Sequence, residues 1–390
     1  MSKADNNYIR IGMHSLATWA LLLYFFSILL LTQVSSPLIG GVFYGSIVLA
    51  VLLSIISMKT INMKVLYLLL GVGILGTMNI LLVGNIAALR LALILGSVFA
   101  STLFIRKDAS EMAPLIAFIA NALVVLYHFA RGGISGNVYV SSSNNYISVY
   151  LIATLVMYYT ICERHKKRAS IIPSLAAFII SFLSGSRGGF LSCAVLFAGL
   201  MIYRYFTGQR NKWGKRVLVV VLLIVALMVG VALIPSFLSR HSNLRVISRF
   251  TEMGLDGAGR WQIWGEYISS IDSIKDLLLG SRLDGLFYME MFNKNLHNSM
   301  LFIHAYFGIF GIVAVLFILA RNFITSIKNK KYIYALCLVV FVLRGLTDHV
   351  FGGHRLTVVF LYLLLFPILM EERRKKQVQR YGPLAVLLQE

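Results

Sequence analysis

Twelve apolar runs divide this chain, at about 11–31, 39–58, 65–83, 86–104, 112–129, 144–161, 171–184, 189–205, 217–233, 296–320, 332–350 and 356–370. Most approach the ~20 residues that an α-helix needs to cross a hydrocarbon layer ~30 Å thick. Inside such a layer every backbone N–H and C=O must find its partner within the protein, so only helices and closed barrels persist there. Long continuous apolar runs, rather than strict alternation, select helices. The fold expected is an all-α polytopic membrane protein with about twelve transmembrane helices. Composition agrees: 58% of the residues are hydrophobic and 13% charged, the proportions of a chain whose solvent is mostly lipid.

A formal net charge of +21 would suit a nucleic-acid binder if the basic residues shared one face of a soluble domain. They punctuate the spans instead. Arg164-His165-Lys166-Lys167-Arg168, Arg210-Asn211-Lys212 with Lys215-Arg216, Lys328-Asn329-Lys330-Lys331 and Arg373-Arg374-Lys375-Lys376 fall in alternate connections. With both termini cytoplasmic, most of the 36 lysines and arginines lie inside, the bias that orients membrane proteins. The charge therefore reads as a topology signal and a contact with anionic membrane lipids, and no nucleic-acid partner is expected. Lys3 and Arg10 precede the first run, but it is long enough to span and no small-residue cleavage pattern follows before Pro37, so it reads as a span rather than a signal peptide. Cys162, Cys193 and Cys337 are too scattered for a disulfide framework or a metal-ligand spacing.

Residues 234–295 form one connection far above the usual loop length, which marks it as functional. It divides a single membrane-embedded domain into spans one to nine (1–233) and spans ten to twelve with a cytoplasmic tail (296–390), and its neighbours place it outside the cytoplasm. Within it, Asp256-Gly257-Ala258-Gly259 leads into Trp261, Trp264, Ile268, Ile271, Ile274 and Leu278, the spacing of one apolar helical face ending near Gly280. The periodicity predicts one amphipathic helix, lying on the outer leaflet with its tryptophans at the interface, or packed on the rest of its own segment.

Arg187 is the residue most at odds with its surroundings, in Ser184-Gly185-Ser186-Arg187-Gly188-Gly189 between two apolar runs. A guanidinium at such depth is costly unless it meets an anion or a water-filled cavity. A glycine-rich break at membrane depth is tolerated only where it is buried in protein or lines a cavity. Arg260 in the long segment, His297-Asn298 opening the tenth run, and Arg344, Asp348, His349, His354 and Arg355 around the last external turn belong to the same end of the spans. Arginines without paired carboxylates fit phosphate, whose oxygens match the guanidinium fork. Imidazole titrates near neutral pH and can take a proton from an attacking hydroxyl, so His297 is the candidate base; the bland alternative is an interfacial histidine. Arg90 either joins this face or snorkels to the interface. Arg344 and Asp348, one helical turn apart, are expected to neutralise each other, and His304 to be a packed core histidine. The glycine pairs at 308/311 and 352/353 allow close helix contacts or turns.

Taken in order, Ser184-Gly185-Ser186-Arg187-Gly188-Gly189, Gly259-Arg260-Trp261-Gln262-Ile263-Trp264, Leu279-Gly280, His297-Asn298-Ser299-Met300-Leu301 and Tyr306-Phe307-Gly308-Ile309-Phe310-Gly311 resemble the O-antigen polymerase and ligase superfamily of bacterial surface polysaccharide assembly. The likeness covers the chain from the span before Ser184 through residue 311. It implies glycosyl transfer at the periplasmic face of the inner membrane without metal or other cofactor, from a glycan carried on undecaprenyl diphosphate. Arg187 and Arg260 would hold the diphosphate and stabilise the charge developing as it leaves, and His297 would activate the acceptor hydroxyl. Ser184, Ser186, Asn298, Arg90, Asn145, Tyr146, Arg344 and His349 complete the expected substrate-binding set. Inversion at the anomeric centre and a chain-length-regulating co-polymerase as partner are further implications. The stretch Ser141-Ser142-Ser143-Asn144-Asn145-Tyr146-Ile147-Ser148 is similar to a serine/asparagine-rich segment of the polymerases, with Asn144 where many have arginine. That favours lipopolysaccharide polymerisation over ligation to lipid A-core. A transporter of a lipid-linked or anionic substrate is the rival from another class, since arginines at helix breaks can line an anion path; it predicts repeated halves, and the first half holds no counterpart of the Ser-Gly-Ser-Arg break.

Overall fold

A computed structural model of the chain describes residues 3–34, 36–58, 61–131, 138–139, 143–208, 259–291, 294–353 and 355–381. They form α1 (Lys3–Gln33), α2 (Pro37–Ser57), α3 (Met63–Leu82), α4 (Ala88–Arg106), α5 (Met112–Ala130), α6 (Asn145–Arg164), α7 (Ile172–Leu183), α8 (Arg187–Gly208), α9 (Arg260–Ser269), α10 (Ile274–Leu279), α11 (Phe287–Met291), α12 (Ser299–Lys328), α13 (Tyr332–Leu346) and α14 (Thr357–Tyr381). No strand occurs among the described residues. Eight of these helices, α1 to α6, α8 and α12, are long and apolar enough to cross a membrane, and each coincides with an expected span. The chain is an all-α polytopic membrane protein. Helices α7 and α13 are apolar but shorter, and the first part of α14 covers the last expected run. The run at 217–233 and the segment up to residue 258 lie outside the described residues.

Helix α6 occupies the middle of the bundle, packed against α5, α7, α8 and α13. Side chains near its middle are satisfied internally, as hydrocarbon favours: Thr154 Oγ1 donates to the carbonyls of Tyr150 and Leu151 (3.0 and 2.9 Å), and the Tyr150 hydroxyl donates to the Phe25 carbonyl of α1 at 2.6 Å.

Two helix breaks are repaired by side chains from neighbouring helices. Gly308, at φ 61° and ψ −162°, interrupts α12 in a conformation open essentially to glycine alone. The Ala305 carbonyl thereby released accepts from Asn79 Nδ2 of α3 and from Asn85 Nδ2, at 2.8 and 2.9 Å. In α14, Pro367 has no N–H to give to the Leu363 carbonyl four residues back. The Tyr334 hydroxyl donates to that carbonyl instead, and Asn322 Nδ2 donates to Leu364 O at 2.9 Å.

The single amphipathic helix expected over the apolar face from Trp261 to Leu278 is two helices, α9 and α10, with a turn between them. Ser273 starts the second by accepting Asp276 N–H at 3.1 Å. Ser270 ends the first by turning its hydroxyl to Ser281 at 2.8 Å. The buried face is also not the expected stripe: Trp261, Ile268 and Ile274 of that stripe stay exposed, while Ile263 and Tyr267, outside it, are fully buried. Helix α10 lies against the break in α12, where Leu279 O accepts from Asn79 Nδ2 at 2.8 Å.

Candidate functional site

Arg187 is the first residue of α8, half-buried. Ser186 caps this helix by accepting Gly189 N–H at 3.3 Å and approaches Ser148 Oγ of α6 at 3.2 Å. The two following glycines are sterically required. A Cβ at Gly189 would overlap the Ser148 side chain, and one at Gly188 would lie 2.7 Å from Thr347 Oγ1. Their absence of side chains lets the positive end of α8 reach the ends of α6 and α13.

At the end of α13, Arg344 is only 1% exposed. Its Nη2 donates to Asp348 Oδ2 at 3.0 Å and to the Asn145 carbonyl at 3.1 Å, and Nη1 donates to Thr347 Oγ1 at 2.9 Å. Asp348, in the turn beyond the helix, also accepts His349 N–H at 2.9 Å and stands 3.5 Å from His297 Nδ1. Burial pushes this carboxyl's pKa up, but Arg344 above all, then His297 and Arg260, hold it well below the usual carboxylate range. Burial lowers the pKa of Arg260, and the positive charges of Arg344 and Arg187 add to that, against the opposing pull of Asp348. Arg260 is thus within electrostatic reach of both Arg344 and Arg187, and it shares the Asp348 carboxylate with Arg344. Among the described residues the Arg260 guanidinium has no hydrogen-bond or ion-pair partner.

His297 is held in the left-handed region, at φ 48°, where side-chain-bearing residues are uncommon. Two asparagines flank it. Asn295 Oδ1 accepts His297 N–H at 2.9 Å, and Asn298 Oδ1 caps α12 by accepting from Met300 N and Leu301 N. Trp264 Nε1 donates to Leu296 O at 2.7 Å, which ties α9, and Arg260 with it, to the same loop. Ser299 closes the arrangement from the other side: its Oγ donates to Asp348 O at 3.0 Å and accepts from Val350 N at 2.8 Å.

Beside this cluster lies a cavity of about 850 Å³. Its lining is mixed: apolar at Leu31 of α1, Phe43 and Tyr44 of α2 and Leu89 and Leu93 of α4, and polar at Arg90 of the same α4, Arg355, His297, Asp348, His349 and Tyr146. Arg90 donates to the Tyr306 hydroxyl, His349 stacks on Phe302 with ring centroids 3.7 Å apart, and the Arg355 guanidinium makes no hydrogen bond or ion pair among the described residues. A second, mainly polar cavity of about 450 Å³, containing Asn85, Asp284 and Lys294, shares Arg90, Asn295 and His349 with the first.

The expected residues therefore separate into three groups. His297, Arg90, Tyr146 and His349 line the larger cavity. Arg187, Arg260 and Arg344 stand outside its lining, Arg344 and Arg260 about Asp348 and Arg187 within electrostatic reach of Arg260. Ser184, Ser186, Asn145 and Asn298 hold the surrounding framework: Ser184 Oγ donates to Ser181 O at 2.9 Å, Ser186 and Asn298 cap helices, and Asn145 offers Arg344 its carbonyl. Arg344 is likewise committed to its pairing, as the one-turn spacing foretold. His304 is a packed core histidine, 2.7 Å from the Tyr267 hydroxyl. Of the serine/asparagine stretch, Ser141 and Ser142 lie outside the described residues, as does His354, while Ser143 reaches the cavity. Sequence reading missed Asn295 as the residue positioning His297; the signal available was a pair of asparagines flanking the histidine. Among the described residues no three His, Cys, Asp or Glu side chains gather as metal ligands. Compared with known proteins, the chain matches no family model and no curated sequence.

Proposed function

We propose that this protein is a membrane glycosyltransferase of the O-antigen polymerase type, extending a glycan carried on undecaprenyl diphosphate at the periplasmic face of the inner membrane. The observation that carries this reading is the mixed apolar and cationic lining of the cavity of about 850 Å³. Its apolar residues suit a prenyl chain, its arginines suit a diphosphate, and an aspartate–histidine pair stands at its edge. In this reading Arg90 and Arg355 meet the diphosphate, and Arg187 and Arg260 add a fixed positive field as charge develops on the leaving group. His297 takes the proton of the acceptor hydroxyl, and Asp348 stabilises the imidazolium that results. The adjoining polar cavity gives the acceptor glycan a place beside the donor, as a two-substrate reaction needs. Twelve spans, cytoplasmic termini and a periplasmic 234–295 segment belong to the same proposal. So does a chain-length-regulating partner.

A second reading has one observation in its favour. The interruption of α12 at Gly308 is a discontinuous membrane helix, a device that transporters use at their substrate sites. Purified protein supplied with defined lipid-linked repeat units separates the readings. Chain growth supports polymerisation, transfer to lipid A-core makes it a ligase, and translocation of the lipid without either product makes it a carrier. His297→Ala is expected to lower turnover on the order of 10²–10⁴-fold with donor binding retained; turnover equal to that of the parent protein removes the histidine from the mechanism.

A further inference from the structure

At the opposite end of the bundle, the last turns of α6 and α12, the start of α13 and the middle of α14 enclose a second large cavity, of about 1020 Å³. Eight of its lining residues are lysine or arginine and two are glutamate. Both glutamates are already engaged. Glu163 accepts Ile333 N–H at 3.1 Å and Tyr334 N–H at 2.7 Å, capping α13. Glu371 is shared between Arg321 at 3.0 Å and Lys375 at 2.9 Å. Lys328 and Lys330 make no side-chain ion pair or hydrogen bond among the described residues. Part of the floor is apolar, where the Phe366 ring lies beneath the Arg164 guanidinium at 6.0 Å. A concave site with this excess of cations over an apolar floor is the complement of a multiply charged anion, and basic pockets between membrane helices bind anionic headgroups in this way.

We propose that this cavity is a binding site for an anion bearing two phosphate groups, presented by a membrane lipid headgroup or by a soluble diphosphate. Asp108, outside the lining, already pairs with Arg164 and Arg373, so three carboxylates meet the eight cations and a net excess of five positive charges remains, more than one phosphate would balance. The site does not depend on the glycosyltransferase reading, because it shares no residue with the cavity at the other end.

The test uses the full-length protein in a zwitterionic detergent at ~0.15 M salt, with thermal unfolding followed as cardiolipin, phosphatidylcholine or inorganic pyrophosphate is titrated in. Cardiolipin or pyrophosphate is expected to raise Tm saturably, and phosphatidylcholine to leave it unchanged. Stabilisation by cardiolipin alone assigns the site to a lipid headgroup; stabilisation by pyrophosphate assigns it to the diphosphate itself. In Lys328→Gln/Lys330→Gln, which removes two exposed charges and no packing, the apparent affinity should fall roughly tenfold or more, at about 1 kcal/mol per cation. Lys275→Gln, at an exposed lysine of α10 outside both cavities, should leave it unchanged. No stabilisation by either anion overturns the proposal. So does stabilisation that survives the double substitution in full, or that Lys275→Gln abolishes.

Discussion

Helices α3 and α6 are nearly equal in length, yet 94% of the apolar stretch of α6 is buried in protein and only 17% of that of α3. The order of hydropathy is the reverse, since α6 is the least apolar of the eight long spans. In water that would be paradoxical. In lipid it follows from the absence of any hydrophobic force driving apolar helices together, so that polar and close-packing groups decide which helix goes inside. Helix α6 brings Ser148, Tyr150, Thr154 and Tyr159 to the interior, each hydroxyl hydrogen-bonded, and its two ends reach the two large cavities through Tyr146 and Arg164. The buried residues of α3 are only Val65, Gly76 and Asn79, and Asn79 is the side chain that mends the break in α12. Burial here tracks polar work rather than apolar content, and substitutions should reveal that ranking.

The largest effect is expected at the end of the helix that packs on α6. Arg344→Ala would leave Asp348 buried without its main partner, a change that costs about 3–5 kcal/mol when one member of a buried pair is removed. Thermal unfolding of the purified protein measures this, and Arg344→Ala/Asp348→Asn should lose less than the two single variants together. The pair also carries a pH signature. Because Asp348 is held below its ordinary pKa in the folded protein, its contribution is fully present above about pH 4 and is lost as pH falls from there toward the lowered value. The stability gap between the parent protein and Asp348→Asn should therefore not close as pH falls from 8 to 5. An acid limb of activity in that window would come from another group. A gap that closes between pH 5 and 7 contradicts this assignment.

A smaller but still large loss is expected from Gly308→Ala. The added Cβ would overlap the Leu278 carbonyl of α10, in a backbone conformation that alanine avoids. Relief requires α10 to move off α12, so accelerated proteolysis between residues 259 and 291 should accompany a Tm drop of several degrees. Gly265→Ala in α9, where a Cβ would meet nothing within 4 Å, is the matched control and should be neutral or slightly stabilising.

Span positions were legible in the sequence because hydrocarbon imposes a length and an internal hydrogen-bonding rule on every crossing, and α1 to α6, α8 and α12 obey both. Arg187 was legible as an anomaly of charge at depth. What was not legible is what depends on pairing across long separations. The split between α9 and α10 rests on Ser273 and on a hydroxyl contact from Ser270 to Ser281, which compete with an apolar stripe that periodicity alone would continue. The commitment of Ser186 and Asn298 to capping depends on where helices begin, and boundaries are the weakest part of any periodic reading. Arg355 and the cavity wall it faces join residues from the first hundred positions to the last turn, and no local spacing encodes that.

The smallest effects test the comparison itself. Tyr150→Phe in α6 removes a buried hydroxyl that donates to the Phe25 carbonyl, and deleting one such bond costs about 1 kcal/mol, less than the core-cavity changes of soluble proteins because the ring is kept. Ile74→Ala in α3 removes more atoms from a residue that is 60% exposed, but the space it vacates is filled by acyl chains as apolar as the lost side chain. The alanine variant should therefore stay within about 0.5 kcal/mol of the parent protein, although the same substitution in a water-soluble core would cost several times more. Thermal unfolding in lipid nanodiscs compares the two variants directly. If Ile74→Ala proves the more damaging, α3 is packed against protein rather than lipid at that position, and the ordering of helices by polar content is wrong.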